Sequence, residues 1–304
     1  QRQMCIRDRH MEVREITEGV RVIQFLLRVL RSEIPRVDVA HSSCAGICSI
    51  PAILAKMKYG TPFLLTEHGV YLREKNLWLA SQSMGLGTRI FWENFYNTLV
   101  GINYFYADKI TPVCEFNRKW EIECGVDPLK IEVIPNAVDI RRFHPTEQNG
   151  GGDRDPLVLV MGRIDPLKDI VNAIEAINIV KKEIPNVKCH IVGPAHDRVY
   201  YNTCVEKRDS LGLQDTVTFF PETKEPELVY AQADVVMLSS LSEGFPFGVV
   251  EAMACGKAIV ATDVGGVREA LEGCGIIVRA SSSRQLAEGV IYLLKNPAIR
   301  EEFE

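Results

Sequence analysis

A chain of 304 residues with 46% apolar content buries a core large enough for one large or two ordinary α/β domains, and a formal charge of −5 without runs of Lys or Arg leaves no footprint for nucleic acid or a polybasic membrane anchor. No stretch reaches the roughly 18 uninterrupted apolar residues of a membrane span, and the opening ten residues are too polar and Arg-rich for a signal peptide. The nine cysteines are scattered through apolar runs as reduced thiols are, which points to the cytosol; His41, Cys44 and Cys48 approach a metal cluster but lack a CxxC pair, so packing is the better reading.

Residues 1–9, QRQMCIRDR, match neither the rest of the chain nor any motif and read as a non-native leader. From Glu12 to Ile34 apolar residues recur at helical spacing (Val13, Ile16, Val20, Ile23, Leu27, Leu30), and Pro35 ends the pattern, which predicts a leading helix. Short apolar or β-branched runs come next at Val37 to His41, Pro62 to Glu67, Lys109 to Val113 and Ile131 to Pro135, separated by helical segments. This alternation predicts a parallel sheet covered by helices. The aromatic stretch from Phe91 to Phe105, with Trp92, Phe95 and Tyr96, has helical spacing and is assigned to packing.

Between Val138 and Pro156 the pattern lapses into RRFHPTEQNGGGDRDP, the composition of a linker, so the sequence divides into 10–150 and 151–304. A second series begins there, with strands expected at Leu157 to Met161, Val187 to Val192, Val217 to Phe220, Asp234 to Leu238, Ala258 to Thr262 and Gly275 to Val278. Its helices include Ile170 to Glu183 and Leu286 to Leu294. The second domain reads as a nearly complete doubly wound unit. The first begins with a helix instead of a strand and a Gly-rich turn, and is expected to be incomplete; the C-terminus also stops inside a helical segment.

Ligands of doubly wound sheets bind outside the C-terminal strand ends, and two such domains facing each other make a cleft. After LVLVM comes Gly162-Arg163-Ile164-Asp165-Pro166-Leu167-Lys168-Asp169, which sets one Arg at a strand end and one Lys near the next helix. Two cations converging there would stabilise charge on a diphosphate leaving group. The plainer alternative is that both pair with Asp165 and Asp169 at the surface. After ADVVMLSS comes Glu243-Gly244-Phe245-Pro246-Phe247-Gly248-Val249-Val250-Glu251, a strand, turn and helix. The amides around Phe247, Gly248 and Val249 would open the helix as an anion site. Glu243 can accept hydrogen bonds from sugar hydroxyls and Glu251 can hold a ribose; the alternative makes Glu243 a helix cap and Glu251 a solvated carboxylate.

The E-x7-E element from Glu243 to Glu251, the GR-x4-K element, the downstream CGKAIVATDVGGVREAL and IPNAVD from Ile134 to Asp139 resemble family 4 retaining glycosyltransferases of GT-B fold, over most of the chain from about Val37. More narrowly, TEHGVYLRE at Thr66 to Glu74 and GPAHDRVYYNTCVEKRDSLGL resemble the glycosyltransferase type of bacterial Pel exopolysaccharide synthesis (PelF type). The resemblance implies two Rossmann-like doubly wound domains facing a cleft. It makes Arg163 and Lys168 the donor-diphosphate pair, Glu243 the carboxylate near the donor sugar and Glu251 the ribose ligand. Gly248 and Val249 would offer amides to phosphate, and His68 would reach the donor sugar. Glu67, Gly69, Asn136, Gly162, Gly244, Phe245, Pro246 and Phe247 complete the expected substrate-binding set. It further implies transfer of a hexose from a nucleotide sugar, UDP-sugar favoured, to a glycan acceptor. The expected route is front-face attack with the departing phosphate assisting, without a metal or other cofactor. Membrane-bound polysaccharide synthase proteins would be partners at the cytoplasmic face of the membrane.

Asp153-Arg154-Asp155 satisfies a metal-binding D-x-D pattern by chance in the linker, and Gly85-Leu86-Gly87 is half of a dinucleotide fingerprint without a preceding strand. A non-catalytic nucleotide-sugar-binding fragment and a GT-B sugar-nucleotide epimerase are the competing readings; the epimerase needs an acid/base pair flanking the sugar, for which His68 alone is weak support.

Overall fold

The computed structural model describes residues 13–146 and 154–303. By its contacts the chain forms two compact units, one ending at Pro135 and one beginning at Asn136. The sequence-based division at 150/151 falls later than this. The cause is packing: Val138 and Phe143 already belong to the core of the second unit, with Phe143 edge-on to Tyr230. Residues 1–9, read from the sequence as a leader, and residues 147–153 of the Gly-rich stretch lie outside the described residues.

In the first unit α1 (Val13–Leu30) precedes β1 (Ala40–Ser42), α2 (Ile50–Tyr59) and β2 (Phe63–Glu67). α3 (Tyr71–Ser81) and α4 (Leu86–Tyr106) lead to β3 (Lys109–Pro112), and α5 (Glu115–Glu123) follows. The three strands are parallel in the order β1-β2-β3. Proline in the first turn starts α2 and Gly60, left-handed at φ 71°, stops it. Phe63, Leu65 and Ile110 pack against Ile53, Leu99, Val100 and Tyr104 in one core. The stripe of α1 that the periodicity singled out is exposed, whereas Leu26 and Val29 face the core. In α4 Trp92 is buried and stacks on Tyr96, but Phe105 points to solvent.

The expected strand from Ile131 to Pro135 is not formed. Glu132 and Ile134 donate backbone hydrogen bonds to the carbonyls of Ile110 and Pro112, and one parallel bridge joins Ile110 to Ile131. Pro112 and Pro135 have no N–H to carry the ladder further.

The second unit is a six-stranded parallel sheet in the order β6-β5-β4-β7-β8-β9. Its strands are β4 (Leu157–Met161), β5 (Lys188–Val192), β6 (Val217–Phe220), β7 (Val235–Leu238), β8 (Ala258–Thr262) and β9 (Ile276–Val278). Each lies within one residue of its sequence-based span. The central strands β4, β7 and β8 are almost wholly buried because both faces of the sheet are covered there, whereas β5 and β6 toward one edge carry polar and exposed positions. Val158 and Val160 turn toward α6 (Ile170–Glu183) and α11 (Ser283–Lys295). Leu159 turns instead toward α8 (Pro226–Gln232), α9 (Phe247–Ala254) and α10 (Val267–Leu271). α7 (Arg198–Ser210) and α12 (Pro297–Phe303) complete the unit. Strand order reverses at β4: β5 and β6 extend to one side, β7 to β9 to the other. The C-terminal ends of β4 and β7 therefore flank the switch point of this sheet. Among the described residues no helix is long and apolar enough to cross a membrane.

Two close approaches in this fold have measurable consequences. Gly193, after β5 at φ 155°, passes so near the Gly162 backbone that a Cβ would run into the Gly162 carbonyl. Gly193→Ala is expected to destabilise the protein by about 2 to 4 kcal/mol, from backbone strain and overpacking together; denaturant unfolding checks it, and a stability unchanged from wild type would contradict it.

The second approach is a buried pair of carboxyl groups in the first unit. Glu67 closes β2 on the same inward face as Phe63 and Leu65, fully buried, and its Oε2 accepts from the Tyr104 hydroxyl at 2.5 Å. Glu121 on α5 is also fully buried, and neither of its oxygens has a hydrogen-bond partner among the described residues. Burial pushes Glu67 up to about 7, against the opposing hydrogen bond from Tyr104. Burial and then the neighbouring Glu67 push Glu121 up to about 9. Both folded-state values exceed those of free carboxyl groups, so the stabilisation is present in acid and is lost as pH rises through that window. Unfolding free energy is expected to fall between about pH 5 and pH 9, and Glu121→Gln to flatten that fall by on the order of 2 kcal/mol. Parallel pH profiles for the two proteins would refute this.

Candidate active site

The turn after β4 is built by its own sequence. The Gly162 N–H bonds the Val192 carbonyl and Ile164, fully buried, donates to Pro194, which ties this turn to the end of β5. Asp165 then caps a short 3-10 turn over Pro166–Lys168, its Oδ1 accepting from the amides of Leu167 and Lys168 at 3.0 and 3.2 Å. Asp169 adopts a left-handed conformation at φ 46° and starts α6. The outcome separates the two cations. Arg163 remains 62% exposed with its Nε 3.2 Å from Asp165, as the surface alternative expected. Lys168 leaves Asp169 aside: its Nζ is 2.5 Å from Glu243 Oε1, with side chains only 19% and 9% exposed. Gly162, Arg163 and Lys168 line one small cavity together with Ser239 and Ser240.

Glu243 follows β7, the neighbour of β4. The two segments are stitched together: Ser239 Oγ donates to the Lys168 carbonyl at 2.7 Å and the Leu241 N–H to the Leu167 carbonyl at 2.8 Å. Ser240 Oγ donates to Glu243 Oε1 at 2.5 Å, and Thr262 Oγ1 to the Ser240 carbonyl at 2.7 Å. Beneath them Gly265, left-handed at φ 57°, leaves no room for a Cβ against the Glu243 carbonyl, and the Gly266 N–H bonds Gly244 at 2.7 Å. The sequence reading did not assign Ser239, Ser240, Thr262 or Gly265 to the site. The hydroxyl pair at a strand end and the Gly-Gly dipeptide were the available signals.

At the start of α9, Pro246 occupies the cap position and no side chain caps the helix. The Val249 N–H bonds the Pro246 carbonyl and its side chain is buried, so the expected phosphate contact through Val249 is a correction: that amide is spent inside the turn. The Gly248 N–H has no acceptor among the described residues. A Cβ on Gly248 would touch Met161 and Tyr230. Phe247 is about half exposed, and Phe245 is held by Asn136, whose Nδ2 donates to its carbonyl at 2.7 Å. Glu251 accepts from the fully buried Tyr230 hydroxyl at 2.9 Å. Burial raises its pKa, opposed by Tyr230 and by the charge of Arg142. Beyond the ends of β5 and β6 an open pocket of about 460 Å³ is walled by Gly193, Pro194, His196, Tyr201 and Phe220.

The remaining predicted residues belong to the first unit. His68 is exposed just after β2, and Gly69 follows where a side chain would collide with the Glu74 carboxylate. Glu67, expected to touch substrate, is corrected to a buried carboxyl facing Tyr104 and Glu121. Of the D-x-D residues, Asp153 lies outside the described residues, Arg154 pairs with Asp234 and Asp155 with Asn186. Gly85 caps α4. His41 hydrogen-bonds Thr66, and among the described residues no group of three His, Cys, Asp or Glu side chains is placed to hold a metal ion.

The family model for glycosyl transferases group 1 matches residues 145–304, and a domain of unknown function, DUF3492, matches residues 8–129. The chain is 30% identical over 188 residues to a D-inositol 3-phosphate glycosyltransferase of Rhodococcus opacus, covering 57% of this chain and 42% of that protein. It is 29% identical over 292 residues to the corresponding protein of Actinosynnema mirum, covering 89% and 67%. It thus spans about two fifths of the first relative's length. Among solved structures it is similar to Anabaena HepE in complex with UDP and glucose, with a TM-score of 0.75, 20% identity, and coverage of 88% of this chain and 70% of that one. At that identity the likeness speaks for the fold, which with its parallel Rossmann-like sheets is GT-B. The group 1 match covers more than half of the chain and contains both strand-end turns, so the chain belongs to the glycosyl transferases group 1 family.

Proposed function

We propose that this chain carries the donor site of a retaining glycosyltransferase that moves a hexose from a nucleotide diphosphate sugar, UDP-sugar favoured, to a glycan acceptor. The observation that carries the reading is the meeting of Lys168 and Glu243 at the β4/β7 switch point, a largely buried cation and a carboxylate 2.5 Å apart. The group 1 family match supports the reaction class, and UDP is supported by the solved complexes of HepE with UDP and glucose and with UDP-glucose.

In this reading Lys168, Arg163 and the Gly248 amide receive the diphosphate. Charge grows on its oxygens as the bond to the anomeric carbon breaks, and fixed donors there lower the barrier more than they strengthen ground-state binding. Glu251 holds the ribose and Glu243 the donor sugar. The acceptor hydroxyl attacks from the face the diphosphate leaves and gives its proton to a departing phosphate oxygen, so configuration is retained without an enzymic nucleophile. The basic pair and the helix N-terminus supply the electrostatic stabilisation, and no metal is assigned a role. A place in exopolysaccharide assembly of the Pel type, beside membrane-bound synthase proteins at the cytoplasmic face, completes the proposal; it rests on the TEHGVYLRE stretch and on the free thiols, which suit a reducing compartment.

Calorimetric titration of UDP, GDP and UDP-glucose into wild type and the Arg163→Ala/Lys168→Ala variant tests the reading. Each charge-assisted contact contributes about 1.5 to 3 kcal/mol, so the double variant is expected to lose on the order of 100-fold or more in UDP affinity. A folded wild type that binds no nucleotide would sink the proposal.

A further inference from the structure

The Lys168–Glu243 pair does not by itself aim the carboxylate, because a single ion pair leaves its plane free to rotate. A second donor removes that freedom. Ser240 is fully buried, and its Oγ donates to the same oxygen that Lys168 holds, Glu243 Oε1, at 2.5 Å. Its own backbone is pinned from the neighbouring strand, where Thr262, also fully buried, donates to the Ser240 carbonyl. Both donors thus converge on Oε1, and Oε2 has no partner among the described residues.

We infer that Ser240 is a positioning residue that holds the Glu243 carboxylate with Oε2 directed at the hydroxyls of the donor sugar. The inference rests on the donor-site reading above and adds an order of events to it. A diphosphate arriving beside Lys168 competes with Glu243 for the same ammonium. Once Lys168 turns to the phosphates, Ser240 is the donor that remains on Oε1, and the carboxylate keeps its aim while its cationic partner is drawn away. Ser240 thereby lets one lysine serve the leaving group without releasing the carboxylate that reads the sugar.

Ser240 acts on the sugar and not on the nucleotide, which separates it from a residue that merely supports the fold. Calorimetry with UDP alone and with UDP-glucose, UDP-galactose and UDP-N-acetylglucosamine measures the two contributions separately. Ser240→Ala is expected to leave UDP affinity within about twofold of wild type and to remove about tenfold of the additional affinity for the preferred UDP-sugar. Ser240→Thr, which keeps the hydroxyl, is expected to restore it. In a Glu243→Gln background Ser240→Ala is expected to add less than about a twofold loss, because the group it orients is already altered. Equal losses for UDP and UDP-sugar, failure of the Thr variant to rescue, or additive losses in the Gln background would overturn the assignment to Ser240 alone. A wild type that binds UDP but gains nothing from any sugar would remove Glu243, and Ser240 with it, from sugar recognition. A wild type that binds no nucleotide would strike the donor-site reading itself.

Discussion

The reversal of strand order at β4 is the constraint on which the site depends. In a parallel sheet every strand ends on the same side, and the strands on either side of the reversal send their connecting helices to opposite faces. The ends of β4 and β7 are therefore left side by side without a crossover between them. Lys168 and Glu243, 75 residues apart in the chain, become neighbours for that reason alone. The hydrogen bonds from Ser239 and Leu241 to the 167–168 backbone then fix the spacing of the two turns. The ion pair follows from the topology, which it would be too weak to impose.

What holds the turns is mostly small. Gly193 and Gly265 are sites where a single added carbon would strike a carbonyl, one under the β4 turn and one under the β7 turn. Two backbones approach there more closely than side chains allow, and the functional groups above are carried by that contact. The buried hydroxyl of Thr262 serves a related end, tying the end of β8 to the Ser240 carbonyl just after β7, beyond the regular ladder.

The second unit was legible in the sequence because its central strands are buried on both faces, so β4, β7 and β8 appear as apolar runs between turn residues. LVLVM divides its residues between two cores and still reads as one strand. The E-x7-E and GR-x4-K elements were legible for the same reason: they begin where such a run stops. Contacts between distant segments were not legible. Nothing local tells that Phe143 packs on Tyr230 and draws the unit boundary ahead of the Gly-rich stretch, or that Lys168 chooses Glu243 over Asp169 close by. Glu67 is a different case. Alternation along β2 puts it on the inward face with Phe63 and Leu65, and His68 beyond it faces out; the motif it belongs to drew attention to chemistry where the strand period pointed to the core.

The short segment after the 3-10 turn at Pro128–Lys130 also bears on how the first unit behaves among other molecules. A parallel sheet with an open outer strand offers its row of amides and carbonyls to any extended chain, and such edges seed aggregation. Here Glu132 and Ile134 occupy the carbonyls of β3 that face outward, while Pro112 within that strand and Pro135 after the segment interrupt the row of donors. The edge is thus filled by the protein's own chain and ended by proline, so a foreign strand finds no continuous ladder to extend on that side.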